Sequence, residues 1–182
     1  MNIKTKNMVL TAVMTAMICV LAPISVPVGP VPISLATLVI FIAVYVLGMK
    51  QALAAVLLYL LLGLVGLPVF SGYSAGPAKL LGPTGGYLIG YIPMVAIAGI
   101  IIDKHYNNRI ISAAGMTAAT AALYFCGTAW LAFSADMGFG AAIMAGVVPF
   151  IPTDLAKIAV TAIAGPVIKL RLEKAGLALP SA

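Results

Sequence analysis

Apolar runs approaching the roughly twenty residues that a helix needs to cross a bilayer recur from one end of this 182-residue chain to the other. That pattern decides the class. A composition of 63% hydrophobic and 8% charged residues cannot clothe a water-soluble domain, which keeps about a quarter of its residues charged. The chain reads as an all-α integral membrane protein, a single transmembrane domain over residues 1–182.

Gly, Pro and charged residues punctuate the apolar pattern and set the ends of six spans, near 8–24, 34–49, 51–68, 86–102, 110–133 and 153–171. The second and third are short for the bilayer and read as thin spans or as spans extended into their loops. Between the fifth and sixth, a short apolar piece from Ala141 to Val148 ends at Pro149-Phe150-Ile151-Pro152. It is too short to cross and predicts a re-entrant or interfacial helix that returns beside the sixth span. Lys4 and Lys6 before the first apolar run resemble the start of a signal peptide. Pro23 after the only cleavage-like triplet favours a retained first helix instead.

The basic residues give the orientation. Lys4, Lys6, Lys50, Lys104, Arg109, Lys169, Arg171 and Lys174 fall at the two termini and in the short connections, which makes eight of the ten Lys and Arg residues. By the positive-inside rule both termini are cytoplasmic, and the long loops at residues 25–33, 69–85 and 134–152 face outward. These loops are rich in Gly, Pro, Ser and Tyr, so a ligand is expected to enter from outside.

Several function classes fall away. The net charge of +6 is scattered singly at span ends, with no basic stripe for nucleic acid. There is no Gly-x-x-x-x-Gly-Lys-Ser/Thr motif, so the chain does not hydrolyse ATP by that route. Catalytic triads, paired carboxylates and His clusters are equally missing. Cys19 and Cys126 sit in apolar runs at no metal-ligand spacing and read as packing residues, and His105 reads as a solvated loop residue. Neither an enzyme nor a resident cofactor or metal is indicated.

Asp154 and Lys157 stand out, because they lie three residues apart inside the apolar sixth span and share one helix face. Charge at bilayer depth costs at least ~2.5 kcal/mol and is found facing a cavity or a partner. Two readings stay open. The pair is an internal salt bridge that fixes packing, or a polar site whose carboxylate accepts ligand N–H groups while the ammonium donates to a carbonyl or carboxylate. The run Gly82-Pro83-Thr84-Gly85-Gly86-Tyr87 marks a turn entering the fourth span, with Thr84 placed to cap it. Ala12 and Ala16, four apart on the first span, form a small-residue stripe suited to close helix docking.

Four motifs in order carry a family likeness: Gly29-Pro30-Val31-Pro32-Ile33-Ser34-Leu35, Gly66-Leu67-Pro68-Val69-Phe70, Leu81-Gly82-Pro83-Thr84-Gly85-Gly86-Tyr87, and Pro149-Phe150-Ile151-Pro152-Thr153-Asp154-Leu155-Ala156-Lys157. With these the chain resembles the BioY family, the biotin-specific substrate-capturing subunits of energy-coupling factor (ECF) transporters. The resemblance implies a six-helix protein of a prokaryotic plasma membrane that binds biotin beneath its outward loops. Asp154 and Lys157 match the family's polar ligand contacts, and Tyr73, Ser74, Thr84, Gly85, Gly86 and Tyr87 are implied as further ones. It also implies partners: a transmembrane coupling protein docking on Ala12 and Ala16, and two ABC ATPases that bind the ATP. Biotin suits such a site, since its ureido N–H donors fit a carboxylate and its bicycle fits apolar and aromatic walls. The chain departs from the pattern at Ala36, where relatives usually carry Gln, and in the loop at Tyr73, Ala75 and Lys79, normally richer in Gly. The alternatives are an ion-coupled or solitary vitamin carrier, or a structural membrane protein.

Overall fold

The structure, a computed structural model, describes residues 3–176. Among these residues there are eight α-helices: α1 (Ile3–Leu21), α2 (Ala36–Leu47), α3 (Met49–Val65), α4 (Pro77–Leu81), α5 (Gly85–His105), α6 (Arg109–Ser134), α7 (Phe139–Gly146) and α8 (Ile151–Lys174). Two short strands, β1 (Ser25–Val26) and β2 (Ile33–Ser34), pair antiparallel between α1 and α2.

Three helices, α1, α5 and α6, are long and apolar enough to cross a membrane, and α7 with α8 makes a further pair bent by 50°. The shorter α2 and α3 are also apolar. Large aliphatic and aromatic side chains such as Val65, Phe125, Phe133 and Ile163 stand exposed on the outside of the bundle. An outward apolar surface of this extent belongs against lipid.

Helix ends differ from the sequence expectation wherever a local backbone signal overrode the apolar pattern. The first helix runs Ile3–Leu21 rather than 8–24, because Pro23 and the strand at Ser25 take over the following residues. The second starts at Ala36 rather than 34, because Ile33 and Ser34 pair with β1, and Ser34 Oγ accepts the Ala36 N–H. Gly48 stops it, turning the chain at φ 74 into α3. The Asp103 carboxylate reaches across from α5 to accept the Met49 N–H at 3.0 Å. A negative group at a helix start satisfies an orphan donor and opposes the dipole.

The twelve residues of α2 span only about 18 Å. Nine of them are buried, including Tyr45, Ile40 and Phe41, and none is exposed. So α2 is the central helix, surrounded by α1, α3, α5 and α8, and its short length is matched to protein neighbours rather than to lipid.

Glycine sets the closest helix approaches. On α5, Gly86 faces Trp130 and the Cys126 carbonyl of α6, and Gly90 faces Leu123. Gly127 of α6 receives the Tyr87 ring in return, and Gly165 of α8 receives Tyr45 of α2. Such small residues let backbones approach where van der Waals contact drives association. Pro93 and Pro166 lie inside α5 and α8 without ending them.

The two ends of the bundle are built differently. At one end, Lys6 donates to the Gly176 carbonyl at 2.7 Å, and Lys169 lies 4.4 Å from the Tyr106 ring centroid. At the other, the β1–β2 hairpin and the 66–85 segment form a roof. Gly72 N–H donates to the Pro23 carbonyl at 3.0 Å, and Gly76 N–H to the Gly63 carbonyl at 2.7 Å. Phe70 is fully buried, its ring edge-on to Tyr59 at 5.5 Å and seated on Gly63.

Candidate functional site

Pro152 at the start of α8 suits the first helical turn, where its missing N–H costs nothing. Asp154 follows in that turn, where the helix dipole favours an anion, and Lys157 lies one turn on. Their charges meet at 2.8 Å. The bundle then supplies the remaining partners from three other elements.

Thr37, in the first turn of α2, donates to Asp154 Oδ1 at 3.3 Å and accepts from Lys157 Nζ at 3.1 Å. Lys157 Nζ also donates to the Ser34 carbonyl of β2 at 2.8 Å. From α6, Tyr124 OH donates to Asp154 Oδ2 at 2.7 Å. Asp154 is 6% exposed, so these bonds replace the hydration that burial removes.

The pair is nonetheless not sealed. Asp154 and Lys157 line a cleft together with Ser34, Thr37, Tyr124 and the aromatic walls Tyr87, Tyr91 and Phe150, with Val31 and Pro32 of the hairpin above. Tyr87 and Tyr91 are one turn apart on α5 and share a face. Tyr87 stacks on Phe150 at 6.5 Å and donates to the Gly146 carbonyl at 2.7 Å, which ties α5 to the end of α7. The room left for solvent is about 40 Å³, while sites for drug-sized ligands hold roughly 300–1,000 Å³. A ligand of that size does not fit the cleft as it stands.

Of the residues that the sequence marks, Asp154, Lys157 and Tyr87 meet at this cleft. Tyr73 and Ser74 do not line it. Tyr73 is 67% exposed, and Ser74 Oγ donates to the Ser71 carbonyl within its own turn. Gly85 and Gly86 face protein rather than the cleft, because a Cβ on Gly85 would strike the Leu80 carbonyl of α4 and one on Gly86 would strike Trp130 of α6. Thr84 precedes α5 but makes no capping bond, and its buried hydroxyl has no partner among the described residues. The turn is held from outside instead, by Trp130 Nε1 donating to the Gly82 carbonyl at 2.9 Å. Ala12 and Ala16 lie on the exposed side of α1, in an open groove shared with Leu58 and Leu62 of α3. Lys79 sits in the roof on α4, where partial burial lowers its pKa from the ordinary lysine value.

Ser34, Thr37, Tyr91, Tyr124 and Phe150 escaped the sequence reading as site residues. The available signals were the Tyr87–Tyr91 spacing and the positions of Ser34 and Phe150 within the quoted motifs. Ala36 is buried and offers no polar group, and the hydroxyl that reaches the pair comes from its neighbour Thr37.

Comparison with known proteins adds a second line of observation. The model of the BioY family matches residues 1–174. The Biotin transporter BioY of Thermotoga maritima is 39% identical over 169 residues, covering 93% of this chain and 96% of that protein. A probable biotin transporter BioY of Pyrococcus horikoshii is 39% identical over 160 residues, covering 88% and 94% respectively. The fold superposes on the crystal structure of the S-component for biotin from an ECF-type ABC transporter with a TM-score of 0.84 at 31% identity, covering 94% of this chain and 92% of that one.

Proposed function

Because this chain belongs to the BioY family, we infer that it serves biotin uptake as the substrate-capturing S-component of an ECF-type importer and is not an enzyme. One observation carries the site: a buried acceptor and donor, Asp154 and Lys157, side by side at 2.8 Å and opening on an aromatic-walled cleft. The N–H and C=O along one edge of a ureido group also stand side by side. Asp154 accepts the ligand N–H, Lys157 turns the donor that meets the Ser34 carbonyl to the ureido oxygen instead, and Tyr87, Tyr91 and Phe150 pack on the bicycle.

The finer reading follows from charge and shape. Six spans cross the plasma membrane of a prokaryote with both termini on the cytoplasmic side, where the basic residues gather. The α7–α8 bend is one interrupted element whose break lies beside the site. Energy comes from a transmembrane coupling protein docked on the Ala12 and Ala16 face, and from two ABC ATPases that bind the ATP.

Calorimetry on the purified full chain tests this reading. Biotin binds the protein without any ATPase, and Asp154→Asn weakens binding by about 1.5–3 kcal/mol, the scale of a hydrogen bond to a charged group. The ion pair by itself also fits a packing lock between α8 and α2. A protein whose melting temperature ignores saturating biotin is that lock, because ligand at a hundred times its dissociation constant adds about 2.7 kcal/mol of stability.

A further inference from the structure

Tyr124 belongs to two cavities at once. It lines the cleft described above, and it also lines a groove between α6 and α8 that opens on the outer face of the bundle, bounded by Ala121, Leu155 and Ile158. The groove has about 140 Å³ of room against about 40 Å³ in the cleft. Its lining is almost wholly apolar apart from Asp154 and the hydroxyls. Tyr124 and Asp154 are shared between the two, joined by the 2.7 Å bond from the phenol to Oδ2. The bonded pair of Tyr124 and Asp154 thus borders both spaces.

The same bond limits what the carboxylate can still accept. An ionised carboxylate offers about four acceptor positions. Lys157 and Thr37 occupy Oδ1, and Tyr124 occupies one position on Oδ2. One position on Oδ2 remains, and its direction is fixed by the phenol beside it.

We propose that Tyr124 is the specificity-determining residue of this site, orienting Asp154 through its hydroxyl and closing off the α6–α8 groove with its ring. This rests on the reading that a ureido N–H meets Asp154. The hydroxyl leaves a single aimed acceptor for one unsubstituted N–H, and the ring denies space to any substituent on that nitrogen. The preferred substrate class is accordingly cyclic ureas with a free N–H at this edge.

Two variants separate the two roles. Binding of biotin, and of a biotin analogue methylated on a ureido nitrogen, is titrated on the purified wild type, Tyr124→Phe and Tyr124→Ala. Wild type prefers biotin by at least about 100-fold, since a site built around an N–H strongly rejects a ligand lacking it. Tyr124→Phe keeps the ring and loses the hydroxyl, so biotin weakens about tenfold while the analogue changes little. Tyr124→Ala opens the cleft into the groove and improves binding of the analogue, narrowing the preference by tenfold or more. A mere loss of folded protein moves both ligands equally and leaves the ratio fixed, so the ratio reports specificity even where a variant is less stable. If both variants bind biotin and retain the wild-type ratio, the proposal is wrong while the biotin reading stands. If wild type binds no biotin, both fall together.

Discussion

Lys157 and Asp154 differ in what their loss leaves behind. Replacing Lys157 with Met strands a carboxylate whose residue is only 6% exposed, and breaking a buried pair from one side costs about 3–5 kcal/mol. A matching loss of thermal stability in detergent is expected, with recovery of much of it in the double variant Asp154→Leu with Lys157→Met. Recovery by the double variant while biotin binding is abolished identifies a pair kept for ligand rather than for packing. These two residues were legible in the sequence because charge within an apolar span has few bland explanations. Thr37 and Tyr124 were not, since hydroxyls within spans are common and no pattern links α2, α6 and α8. The Ser34 carbonyl was beyond reach altogether, because every residue has one.

Existence of the long helices followed from apolar run length, while their ends followed from backbone chemistry that hydropathy does not weigh. Gly48 at φ 74 and the β1–β2 pairing trimmed α2 at both ends, and a two-residue strand carries too little pattern to be seen. The Gly82–Tyr87 motif was legible as a turn, but the cap expected from Thr84 is not made, while Tyr87 at its end lines the cleft. Its glycine-bearing part packs against Trp130. Two substitutions test that. Gly86→Ala pushes a methyl to 2.7 Å from the Cys126 carbonyl and into Trp130, an overpacking expected to cost about 1–3 kcal/mol in melting measurements. Thr84→Val, which removes a buried hydroxyl lacking a partner, is expected to be neutral or stabilising by about 1 kcal/mol. A large loss in Thr84→Val would restore the capping role.

The assembled bundle has a polar floor, aromatic walls and a roof made of loops, and its direction in the membrane can be read chemically. In a background with Cys19 and Cys126 replaced by Ala, a membrane-impermeant maleimide added to intact cells is expected to label Ala78→Cys in the roof. Lys50→Cys, exposed between α2 and α3, labels only after permeabilisation, and the reverse result inverts the molecule. Charge asymmetry is the sequence signal on which this expected orientation rests, whereas the choice of helix neighbours depended on which glycines face which side chains, a matter of three-dimensional fit. The bond from Lys157 to the Ser34 carbonyl has one more implication. Ser34 belongs to the strand that borders the cleft, so displacing that strand takes a partner from a cation below. Only a molecule that brings an oxygen of its own offsets that loss, and a purely oily one has nothing to offer the stranded ammonium.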